Sequence, residues 1–200
     1  MRITIKIAKP LRLRKLTELM KINGVSVYVH WSVLVIAALM LLNAARRPML
    51  TLVGLTAWLG VTLIHECGHM VAAHRKNCAV FSIKLYPIFG ITCFQTPWSL
   101  FDHCVIAWGG VLAQAAIAIP LAAWVAIVGY TRFEPVNAAL ALLGFYSLGV
   151  AAFNLVPIAP LDGAVAWRIL PAFINRQRER RKRALSRYRS PRRQFRDLAV

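Results

Sequence analysis

The feature that most limits how this chain can fold is the stretch from Met49 to His74, apolar enough to cross a bilayer yet carrying His65-Glu66-Cys67-Gly68-His69 near its end. In hydrocarbon every backbone N–H and C=O must be satisfied within the segment, so the stretch has to be a helix, ~39 Å long at the helical rise. Ionisable residues near a bilayer centre cost ~2.5–3.5 kcal/mol each on insertion scales, so three within one turn need a compensating role. Two histidines four residues apart share a helix face, with Cβ atoms ~5–6 Å apart, and can present both imidazoles to one tetrahedral metal. Glu66 stands beside that face, placed to act on water at the metal. The bland alternative is a polar patch satisfied by neighbouring helices.

The rest of the chain reads as membrane protein. Of 200 residues 58% are hydrophobic and 16% charged, which excludes an ordinary soluble domain. Most of the net charge of +18 sits at the two ends. Residues 1–24 hold seven Lys/Arg against Glu18, and residues 175–200 hold eleven against Glu179 and Asp197. Basic flanks are retained in the cytoplasm, so both termini are expected there, with an even number of spans. The amino-terminal end reads as a retained signal anchor rather than a cleaved signal peptide. Cys67, Cys78, Cys93 and Cys104 lack C-x-x-C spacing and are expected as free thiols, and together with His103 they do not match a second zinc site.

Four spans are expected, at about 25–43, 49–74, 103–130 and 135–156, inside a single membrane domain covering 25–174. Val25 to Val29 alternates like a strand, and Trp31 to Leu42 is too short to cross alone, so a short strand feeding a thin or tilted helix is anticipated. Cys78 to Pro97 mixes β-branched, aromatic and polar residues with breakers, the texture of a hairpin or re-entrant segment. The expected fold is therefore an all-α polytopic bundle of about four transmembrane helices with a small membrane-associated β element. Pro120 predicts a kink in the third span, and Pro157 and Pro160 end the fourth just before Asp162-Gly163. Ala164 to Ile174 reads as a short interfacial segment.

Two histidines do not complete a catalytic zinc site, which takes three protein ligands and one open position. Asp162, at a broken helix in apolar surroundings, is the candidate third ligand, with a plain Asp-Gly turn as its alternative.

His-Glu-x-x-His in one span, with Asn154-Leu-Val-Pro157-Ile-Ala-Pro160-Leu161-Asp162-Gly163 ending a later one, resembles the site-2 protease family of intramembrane zinc metalloproteases. Val29-His30-Trp31-Ser32 is similar to the first span of its branch of bacterial sporulation-factor processing proteases. The resemblance covers about 24–174. It implies one zinc ion per chain held by His65, His69 and Asp162, with Glu66 as general base. It also implies a transmembrane protein as substrate, cut within or near its membrane segment, and a multi-pass protein of a prokaryotic cytoplasmic membrane. Asn154, Gln114 and His30 are the candidate substrate contacts. For Asn154 the alternative is a helix–helix hydrogen bond, and for His30 an interfacial position.

Gly110-Val-Leu-Ala-Gln114 stands where the family often has G-x-x-x-N, and Ala164 where many members have a second glycine. No PDZ-like or nucleotide-sensing accessory domain is visible in the sequence. The basic tail, 175–200, is expected to meet anionic lipid headgroups rather than nucleic acid. Oligomeric state is not legible. Two other readings of the chain are a non-catalytic membrane scaffold keeping the protease fold and, with few intramembrane carboxylates to support it, a metal-ion transporter.

Overall fold

The computed structural model describes residues 16–42 and 44–197, with side chains through residue 185. Strands β1 (Leu16–Ile22) and β2 (Val25–His30) lead into helices α1 (Trp31–Leu41) and α2 (Pro48–Arg75). A hairpin of β3 (Val80–Leu85) and β4 (Gly90–Phe94) follows, then α3 (Leu100–Val128). A third long apolar rod, Glu134–Asn154, is built from α4 (Glu134–Leu140), a π-helical segment (Ala141–Tyr146) and α5 (Ser147–Asn154). The short α6 (Gly163–Ala166) and the long α7 (Ile169–Asp197) complete the chain.

Three of these helical segments are long and apolar enough to cross a membrane, and α1, with 11 residues, is a shorter apolar helix. The first expected span is thus a strand running directly into a short helix, in line with its alternating start. Pro48 opens α2, where a missing N–H costs nothing. Asn77 closes it at φ 55° while the Cys78 N–H donates to the Ala73 carbonyl, 3.0 Å away. The Ser99 hydroxyl caps α3 by accepting from the Asp102 N–H.

The sheet runs β1-β2-β3-β4, with β2 and β3 parallel and both outer pairs antiparallel. Its inner face supplies Val25, Val27, Val29, Ile83 and Leu85 to a core shared with Val33 of α1 and Met70 of α2. Burying alternate β-branched residues in this way ties the sheet to the helix that carries the histidines. β1 lies within the segment expected to be only a basic flank. It pairs with β2 across Asn23-Gly24, both at positive φ, the dipeptide favoured in two-residue hairpin turns.

Helices α2 and α3 make the most extensive helix pair. Their backbones meet at Gly68 and Gly109: a Cβ on Gly68 would overlap the Gly109 carbonyl, and one on Gly109 would lie 2.7 Å from the Ala72 Cβ. Small residues at a membrane-helix crossing allow this approach, since packing rather than a hydrophobic driving force holds such pairs. Pro120, where a kink is expected, lies within α3. α7 continues the expected interfacial segment and the basic tail as one helix.

Candidate metal centre

One turn of α2 supplies His65, Glu66 and His69, all buried against α3 and the β3–β4 hairpin. The two imidazole Nε2 atoms lie 3.0 Å apart. Asp162 Oδ2 reaches both, at 2.9 Å from His65 Nε2 and 3.1 Å from His69 Nε2. Among the described residues these three form the one cluster of His, Cys, Asp and Glu groups able to hold a metal.

Asp162 arrives on a turn rather than on a helix, so its position has to be secured from outside. Trp167 Nε1 donates to the Leu155 carbonyl at 2.6 Å, Trp108 Nε1 to Ala166 at 3.1 Å, and Cys104 Sγ to Val165 at 3.2 Å. The Ala159–Pro160 peptide is cis. Gly163 is obligatory on packing grounds, because a Cβ there would overlap the Leu155 carbonyl.

The outer nitrogens settle what the inner ones can do. His69 Nδ1 lies 2.8 Å from the Ile106 carbonyl, an acceptor only, and His65 Nδ1 lies 2.8 Å from Gln114 Oε1. Each Nδ1 therefore carries the proton and each Nε2 turns a lone pair toward the other and toward a carboxylate oxygen. Three electron-rich atoms at 2.9–3.1 Å repel one another unless a cation lies between them. A tetrahedral site with ~2.0–2.1 Å bonds has ligand–ligand edges of ~3.3–3.4 Å, so a small outward relaxation of this set fits zinc. Gly110 makes the room, since a Cβ on it would come within 2.6 Å of His69 Nε2.

The cluster opens on a cleft of about 680 Å³ between α2, α3, the β3–β4 hairpin and the Asn154–Asp162 turn. Its walls are largely apolar, with Ile88, Phe89, Ile91, Phe153 and Val165 among them. Glu66 lies in the wall with one carboxylate oxygen, Oε2, accepting from the Thr92 hydroxyl at 2.7 Å.

The other expected site residues separate. Asn154 lines the cleft, and its side-chain amide has no hydrogen-bond partner among the described residues. Gln114, expected to touch substrate, has no exposed surface and is not in the cleft wall; it accepts from His65 and donates to Ser147 Oγ at 3.5 Å. His30 lies outside the cleft wall. It caps α1 by accepting from the Ser32 N–H and packs against Tyr86, with ring centroids 5.2 Å apart. Thr92, Trp108 and Trp167 carried no motif signal, whereas Gly90 stood out only as a chain breaker.

Known proteins resemble this chain in the same terms. No family model matches it. It is 32% identical over 171 residues to a Synechocystis protein named as a zinc metalloprotease, a match covering 73% of this chain and 43% of that one. It is 31% identical over 179 residues to Rip3 of Mycobacterium tuberculosis, likewise named as a zinc metalloprotease (78% and 45%). Stage IV sporulation protein FB of Bacillus subtilis is 30% identical over 143 residues (68% and 44%). The chain thus spans less than half the length of the curated relatives it matches. Among solved structures, the site-2 protease from Methanocaldococcus jannaschii superposes with a TM-score of 0.60 at 22% identity, covering 78% of this chain and 71% of that one, a likeness of fold.

Proposed function

Because this chain belongs to the site-2 protease family of intramembrane metalloproteases, we propose that it is a zinc endopeptidase that hydrolyses a peptide bond within or near a membrane span of another protein. One observation carries this reading: His65, His69 and Asp162 converge on a single point in an apolar cleft, with Glu66 beside them. A zinc ion held by these three residues would lower the pKa of a water toward ~7 and polarise the scissile carbonyl. Glu66 accepts the proton of that water and passes it to the leaving amide nitrogen. Asn154 offers its free amide to the substrate backbone, and the apolar walls exclude bulk water.

A helical substrate must open locally, because its peptide bonds are hydrogen-bonded and shielded. β4 is an edge strand of the sheet and contributes Gly90, Ile91, Thr92 and Phe94 to the cleft wall, so an opened segment can pair along it. The scaffold reading gives Glu66 no task, since a binding-only metal needs no general base. Membrane proteomes of cells carrying wild type and Glu66→Gln test the proposal. Uncleaved membrane proteins should accumulate in the mutant; identical proteomes would favour the scaffold.

A further inference from the structure

Glu66 is held from the hairpin side by two residues that face it together. Gly90 and Thr92, two apart on β4, share one face of the strand. The Thr92 hydroxyl lies 2.7 Å from Glu66 Oε2 and 3.2 Å from the Glu66 carbonyl oxygen, so its one proton goes chiefly to the nearer carboxylate oxygen. Opposite Gly90 the fit is closer still, because a Cβ there would overlap Glu66 Cγ, Cδ and Oε1. Glu66 Oε1 has no partner among the described residues, yet no buried side-chain oxygen among them is left unsatisfied, so Oε1 opens to the cleft.

From this geometry we infer that Thr92 is a positioning residue for Glu66. It takes up one carboxylate oxygen, while bare Gly90 lets the carboxylate lie against the strand, leaving the second oxygen open to the cleft. A general base works only within about 2.6–3.2 Å of its proton, and a free glutamate side chain samples several rotamers, so fixing it from the strand raises the fraction in working position. The inference rests on the proposed protease activity. It adds that the hairpin belongs to the catalytic apparatus and not only to the substrate groove.

The test uses the full chain in bilayers with a quenched-fluorophore single-span peptide broken by Gly-Pro near its cytoplasmic end. Thr92→Val deletes the hydroxyl at nearly constant shape and keeps a β-favouring residue, so the strand should persist. We expect kcat to fall ~10–100-fold with KM and zinc content unchanged, and Thr92→Ser to recover most of the loss. Gly90→Ala should lower kcat as well, by displacing the carboxylate. Wild-type kcat in Thr92→Val, failure of Thr92→Ser to rescue, loss of zinc, or a KM effect alone would each overturn the positioning role. If the wild type is as inactive as Glu66→Gln, the protease reading itself falls and the role falls with it.

Discussion

At the scale of single residues, groups lying within a few ångströms of one another take separate proposed jobs. Asp162 is the proposed ligand that the chain brings from farthest away in sequence. Asp162→Ala should reduce zinc from one per purified chain to well below that, measured by elemental analysis, and undiminished zinc would remove it from the ligand set. Gln114 is proposed to act one step further out, through His65. Gln114→Leu leaves a buried His65 Nδ1–H without its acceptor, a loss of ~1–3 kcal/mol, and should weaken zinc affinity ~10–100-fold in a chelator competition. An unchanged affinity would show that His65 needs no orienting partner. The ligand pair was legible in the sequence because helical spacing fixes which residues share a face. The partners of Gln114 were not, because an amide in a membrane helix pairs equally well with substrate or with protein until its neighbours are known.

At the scale of elements, the site depends on how closely α3 approaches α2. Gly68 and Gly109 bring the backbones together, and Gly110 places bare Cα surface against the two imidazoles. Gly110→Ala should therefore cost zinc affinity, whereas Gly68→Val should lower the midpoint of detergent unfolding. Overpacking of this kind costs ~1–3 kcal/mol. Equal effects of both variants on zinc and on stability would contradict this division of roles. The long helices could be read from apolar length alone, and the β3–β4 hairpin from its breakers. β1 was hidden because its residues are mostly exposed and lie in a basic stretch, although Asn23-Gly24 announced the turn. The π-helical segment left no mark in the sequence: widening one turn depends on packing, and here Gly144 lies so close to α3 that a Cβ on it would come within 3.2 Å of the Ala122 nitrogen.

At the scale of the whole molecule, two ion pairs mark opposite ends of the bundle. Arg47 meets Glu134 at 2.7 Å where α2 and α4 begin, and Lys76 meets Asp102 at 2.9 Å where α2 ends and α3 begins. Arg176 of α7 lies over the Phe101 ring, 4.7 Å from its centroid, joining the basic helix to the second end. We propose that this end is cytoplasmic, that β2 and α1 together make the first of four crossings, and that α7 lies along anionic headgroups there, at ~1 kcal/mol per basic residue. His65 and His69 then lie ~9–15 Å inside that boundary. Green fluorescent protein fused after α7 should fluoresce, and alkaline phosphatase inserted at Thr131 should be active; the reverse pattern would invert the topology.

The central claim is that zinc chemistry at His65, His69 and Asp162 hydrolyses a membrane-embedded peptide bond. Mass spectrometry of the single-span peptide after incubation with the purified chain in bilayers tests it most directly. Two fragments are expected whose masses sum to the peptide plus one water, cut within or next to the apolar segment, and none with Glu66→Gln. No fragments from wild type, or the same fragments from the mutant, would contradict it.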